Sequence, residues 1–96
     1  MNKYFLEVEA IQFTGDNAKE IEEKLSECLG LAKEDLKIGV ERYENEKWLC
    51  FSDGNNAYEI ERGYYIVVAP KRGKTGGYLF AIMTEKKFEE YARRLY

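Results

Sequence analysis

The period of the apolar positions changes several times along the chain, and each change marks an element. From Tyr4 to Phe13 the pattern alternates, with Leu6, Val8 and Ala10 on one face and Glu7 and Glu9 on the other, which predicts a strand. The apolar set then shifts phase to Ile11 and Phe13. Such a shift needs a bulge, or burial of both faces near the strand's end. Thr14-Gly15-Asp16-Asn17 reads as a turn, with Asn17 as a helix cap and Glu20 completing a capping box. Ile21, Leu25, Cys28 and Leu29 then recur at i, i+4, i+7 and i+8. Glu20, Glu22, Glu23, Lys24 and Glu27 fill the opposite face, and Gly30 supplies a stop.

Leu31 to Asp35 is a connector with room for one more helical turn. Leu36, Ile38 and Val40 alternate with Lys37, Gly39 and Glu41, predicting a second strand. Polar Glu44-Asn45-Glu46-Lys47 turns the chain into a short strand, Trp48 to Phe51. Ser52-Asp53-Gly54-Asn55-Asn56 is the strongest turn chemistry in the chain, because Gly and Asn tolerate positive φ. Ala57 to Glu61 alternates again, Gly63 breaks it, and Tyr64 to Ala69 is the most β-prone run, continuous enough for a central strand. A loop over Pro70 to Gly77 leads to a last strand, Tyr78 to Met83. Thr84 caps a terminal helix whose Phe88, Tyr91, Ala92 and Leu95 share a face.

The order β-α-β-β-β-β-β-α predicts a single small α+β domain over residues 1–96. Its expected form is a mainly antiparallel sheet of five to six strands with both helices packed on one face. Ile21, Leu25 and Leu29 of the first helix and Phe88, Tyr91 and Leu95 of the second would then cover the same side. A length of 96 residues suits one domain, and 34% charged residues with one proline is a globular composition.

No apolar run approaches the roughly 18 residues of a membrane span. Glu7 and Glu9 interrupt the first residues before a secretory leader's apolar stretch could form. The expectation is a soluble protein of the cytoplasm, with no membrane partner. The chain has no histidine, which removes Ser-His-Asp and Cys-His catalysis and His-ligated zinc. No catalytic residue, metal or cofactor is predicted, and Cys28 and Cys50 read as buried free thiols.

Charge adds an asymmetry. The net charge is −3, but residues 1–60 carry −7 and residues 61–96 carry +4. An acidic whole disfavours general nucleic-acid binding, where phosphate neutralisation dominates affinity. It leaves room for an acidic face presented to a basic partner. Glu34, Asp35, Glu41, Glu44, Glu46, Asp53, Glu59 and Glu61 crowd the middle of the chain. Tyr43, Trp48, Tyr58, Tyr64, Tyr65 and Tyr78 all fall on predicted strands, where exposed rings can stack on a base or anchor a protein. Gly73-Lys74-Thr75 is no phosphate loop, since Val68 stands where its first glycine is needed and a strand follows. Lys71, Arg72 and Lys74 among glycines could still hold a small anion.

Val8-Glu9-Ala10-Ile11-Gln12-Phe13-Thr14-Gly15, then Asn17 and Glu20-Ile21, resembles the opening of a group of small tailed-phage and prophage proteins, the PGDYG-type domain family. Arg62-Gly63-Tyr64-Tyr65-Ile66 is similar to the family's central turn, with Arg62 for Pro and Tyr64 for Asp. Ile82-Met83-Thr84-Glu85-Lys86-Lys87-Phe88-Glu89-Glu90-Tyr91 is similar to its closing strand and helix. The resemblance implies a phage-encoded accessory protein acting in the bacterial host's cytoplasm.

Two functions follow as expectations. The first is a non-catalytic binding protein that inhibits a host defence component or enzyme by protein–protein contact, through Glu41, Glu44 and Glu46 with aromatic anchors. The second is a protein that binds or sequesters a small anionic ligand such as a nucleotide second messenger, through Lys71, Arg72 and Lys74 with Tyr64 and Tyr78. Self-association is compatible with either.

Overall fold

The computed structural model describes residues 8–70 and 77–95, with the side chain of Leu95 outside that description. The elements run β1 (Glu9–Gln12), α1 (Ala18–Leu29), α2 (Lys33–Leu36), β2 (Gly39–Tyr43), β3 (Glu46–Ser52), β4 (Ala57–Glu61), β5 (Tyr65–Ala69), β6 (Tyr78–Met83) and α3 (Glu85–Leu95). This is the expected α+β domain, with the connector after Gly30 forming the short extra helix α2. That helix takes in Leu36, which turns into the core, and Lys37 caps it in the left-handed conformation, so the second strand starts at Gly39 and not at Leu36.

The strands form two antiparallel sheets of three, in the orders β1-β5-β6 and β2-β3-β4, where the sequence predicts one sheet. The division falls at Gly63, whose φ of 98° turns the chain so that β5 leaves β4 behind. β5 pairs with β1 instead, from Glu9 opposite Val68 to Gln12 opposite Tyr65. The turn is fastened to the end of β1. The Gly63 N–H donates to the Phe13 carbonyl (2.7 Å), the Phe13 N–H to the Tyr64 carbonyl (3.0 Å), and Gln12 Nε2 to the Gly63 carbonyl (2.9 Å).

The register of β1 is unbroken, so its phase shift is not a bulge. Ile11 and Phe13 serve the core, while Ala10 lies on the other face opposite Val67. The bulge sits in β6, where Val67 pairs with Ala81 and Val68 with Leu79, leaving Phe80 as the extra residue.

The α1 helix buries Ile21, Leu25, Cys28 and Leu29, and Gly30 closes it in the left-handed conformation with its N–H on the Ser26 carbonyl (3.0 Å). Asn17 departs from the capping expectation. Its Oδ1 accepts the Thr14 N–H (2.9 Å) and its Nδ2 donates to the Gln12 carbonyl (2.7 Å), so the side chain braces the turn rather than the helix. Thr84 does cap α3, its Oγ1 accepting the Lys87 N–H (3.2 Å).

One core lies between the inner faces of the two sheets and α1. It contains Phe13, Ile21, Leu25, Leu36, Leu49, Phe51, Ile60, Ile66 and Val68. The placement of α3 corrects the expectation that both helices share a sheet face. Ile66 and Val68 of β5 belong to the α1 core, whereas Tyr65, one residue out of phase, stacks on Phe88 of α3. Phe80, turned by the bulge, meets Tyr91 of α3 at a centroid distance of 5.9 Å. The β1-β5-β6 sheet is therefore covered on both faces. The reason is in β5 itself: Val67 is fully buried outside the main core, and a strand apolar on both faces needs cover on both.

Candidate functional site

Strand alternation sorts the charges of the β2-β3-β4 sheet. Leu49 pairs with Ile60, and Phe51 with Tyr58, on the face that meets the core. The opposite face carries Gly39, Glu41 and Tyr43 from β2, Glu46, Trp48 and Cys50 from β3, and Glu59 and Glu61 from β4, by the registers of these strands. All four glutamates are on this outer face. The strands' two cations, Arg42 and Lys47, pair with each other on the inner side, where Lys47 Nζ lies 2.9 Å from the carboxylate of Asp16. That contact and Lys24–Glu9 (2.8 Å) are the salt bridges found among the described residues, and neither involves an outer-face glutamate.

Aromatic rings lie within this acidic field. Trp48 stands across from Glu41 on one side and Glu61 on the other. Its ring meets that of Tyr43 edge-on at 6.2 Å, and Tyr43 is 48% exposed. The Tyr43 hydroxyl donates to the Glu41 carboxylate, and this hydrogen bond together with the negative charge of Glu41 pushes the phenol up to about 12.

Cys50 is half-exposed on this face, which corrects its reading as a buried thiol. Single-strand alternation could not assign its side, because Leu49, Cys50 and Phe51 are all apolar. Burial raises its pKa first, then the charges of Glu41 and Glu59, so the thiol is held protonated. The donor atoms of Glu41, Cys50 and Glu59 lie within 4.8 Å of one another. Two carboxylates and a thiol could together take a borderline-soft divalent cation. Beside them a shallow cleft of about 280 Å³ is bordered by Lys37, Cys50, Tyr58 and Glu59. Cys28 does match its reading: it is buried, its thiol donates to Glu9 (3.2 Å), and burial followed by that carboxylate pushes it to about 11.

The other expected site residues do not gather here. Glu44 occupies the β2–β3 turn with a φ of 57°, at the tip of the acidic face. Glu34 and Asp35 sit on α2. Asp53 is committed to the β3–β4 turn, accepting the N–H groups of Asn56 (2.8 Å) and Asn55 (2.9 Å) and the Tyr58 hydroxyl (2.9 Å). Tyr64 is half-buried and packs against the edge of the core, away from the acidic face. Tyr78 is 52% exposed at the start of β6, beside a cleft of about 130 Å³ with Asp53 and Asn55, separate from the acidic face. Lys71, Arg72 and Lys74 lie outside the described residues. Trp48, Glu59 and Glu61, which the sequence offered only among its strand aromatics and crowded acids, and Cys50, which it read as buried, share a face only once β3 and β4 are in register.

No family model matches this chain, and no curated protein or solved structure matches it either. No helix among the described residues is long and apolar enough to cross a membrane.

Proposed function

We propose that this is a non-catalytic binding protein that docks the outer face of its β2-β3-β4 sheet on a basic surface of a protein partner. The observation that carries the reading is the segregation of charge: Glu41, Glu46, Glu59 and Glu61 surround Trp48 and Tyr43, while Arg42 and Lys47 face away. Carboxylates of one sign on a flat face steer a basic partner and raise its association rate. Aromatic rings at the centre supply the desolvated contact area that carries binding energy. The resemblance to small phage proteins supports a bacterial host protein as that partner, in the cytoplasm, with inhibition of a host enzyme or defence component as the outcome.

The test is capture with crosslinking from a bacterial lysate, using the native protein and a variant with Glu41, Glu59 and Glu61 changed to Lys. A partner that binds the native protein and loses at least about tenfold in affinity to the variant fits the proposal. Its association rate should also fall steeply with salt. A partner indifferent to the charge reversal would refute it. So would a nucleotide bound at low micromolar strength and lost on changing Lys71, Arg72 and Lys74 to Ala, which would move the function to the second expectation.

A further inference from the structure

Among the described residues, strand β2 is an edge of its sheet, paired with β3 and with no other strand. All five of its residues, Gly39–Tyr43, are exposed. A two-residue loop, Glu44-Asn45, joins it to β3, and Tyr43 pairs with Glu46 across that loop. In such a hairpin the pair flanking the loop exchanges both backbone hydrogen bonds, and the bonded pairs then alternate. Tyr43, Glu41 and Gly39 therefore turn their N–H and C=O groups towards β3. Val40 and Arg42 turn theirs outward, away from β3, and find no backbone partner among the described residues.

We infer that the partner of the acidic face presents an extended basic segment that pairs with β2 as a fourth strand. This rests on the docking function proposed above and specifies the form of the partner. The outward N–H and C=O groups of Val40 and Arg42 offer four backbone hydrogen bonds to such a strand. Its alternate side chains would fall on the outer face, opposite Gly39, Glu41 and Tyr43. A lysine or arginine opposite Glu41 makes the favourable cross-strand charge pair. Gly39 leaves open space, since a Cβ built there meets nothing within 4 Å, so a long cationic side chain can lie over it towards Glu59. On the other face the segment would meet Val40, which is 41% exposed and suits an apolar neighbour. A second copy of β2 fits poorly. Antiparallel pairing centred between the outward groups sets Glu41 against Glu41 of the other copy, and like charges directly opposite are destabilising.

The test uses a short synthetic peptide alternating lysine and valine, and the same peptide with proline in place of alternate residues, which cannot complete a ladder. Binding is read by the fluorescence of Trp48, the chain's one tryptophan, and by amide hydrogen exchange. The expected result is that the alternating peptide binds, slows exchange at Val40 and Arg42, and binds at least about tenfold more weakly to Arg42→Pro. That substitution removes an outward N–H and no bond to β3. The proline peptide, on the unaltered protein, gives the same comparison without depending on how the variant folds, and should bind at least about tenfold more weakly.

Equal binding of both peptides, lost when Glu41, Glu59 and Glu61 are changed to Gln, overturns the fourth-strand inference and leaves the docking face standing. Protection at Glu59 and Glu61 of β4, rather than at Val40 and Arg42, overturns it as well. Concentration-dependent protection of Val40 and Arg42 without peptide would mean that a second copy occupies the edge, and overturns it too. Failure of every basic peptide to bind at low ionic strength overturns both readings.

Discussion

Tyr65 of β5 and Phe88 of α3 stack with ring centroids 4.0 Å apart and planes 14° from parallel. The pair fastens α3 to the sheet face that α1 does not cover, so the two helices are held by different contacts. Phe88 is only half-buried, whereas Leu25 of α1 is fully buried in the main core. Leu25→Ala is expected to cost about 2–5 kcal/mol, the range for a buried leucine. Phe88→Ala is expected to cost less, about 1–3 kcal/mol, through lost area and stacking. Urea unfolding measures both, and hydrogen exchange should show α3 opening before α1 in the Phe88 variant. Equal losses would mean that α3 belongs to the same cooperative core.

Asp53 links the β3–β4 turn to acid stability. Its carboxylate is held below the usual range, first by the Asn56 N–H, with further help from the Asn55 N–H and the Tyr58 hydroxyl. A group whose folded pKa is depressed contributes stability above its unfolded value of about 4, and loses it as pH falls through the folded value. Asp53→Ala is therefore expected to lower stability by about 1–2 kcal/mol near neutral pH. The gap between variant and native protein should close as the solution is acidified below about pH 4. A gap that stays constant down to strong acid would show that the carboxylate's charge is not what holds the turn.

Cys50 reports on the acidic face. Burial and the charges of Glu41 and Glu59 hold its thiol protonated, and the thiolate is the reactive form. Changing Glu41 and Glu59 to Gln removes the electrostatic part and leaves the burial, so labelling by a thiol reagent at mildly alkaline pH should speed up. Added salt should reduce the difference between variant and native protein. Cys28, buried and pushed to about 11, should label only on unfolding in either protein, so Cys50→Ser should silence the fast signal. An unchanged rate in the double Gln variant would show that the carboxylates do not act on this thiol.

Local pattern was sufficient for most of the elements, though not for Leu36, whose alternation with Ile38 and Val40 reads as strand while it ends α2. Ile21, Leu25, Cys28 and Leu29 could bury only one helical face, and the chain turns where Gly30, Asp53-Gly54 and Gly63 permit it. These features depend on residues a few positions apart, so they are visible along the chain. The acidity of the middle segment was visible in the same way. What it faced was not, because a lone strand has two sides and its register decides which neighbours share them.

Only the tertiary structure decided how many sheets form, where α3 lies and which residues make the acidic face. Tyr65-Ile66-Val67-Val68-Ala69 is apolar on both faces, which calls for cover on both without saying which helix supplies which. That choice followed from β5 pairing with β1 and from the bulge at Phe80. Likewise Glu41, Trp48 and Glu61, up to 20 positions apart in sequence, become neighbours because β3 pairs with β2 on one side and β4 on the other. The physical reason is the same in both cases. Backbone pairing between distant segments sets side-chain neighbourhoods, and the energy that selects a pairing is shared across the whole core rather than held by any one stretch of sequence.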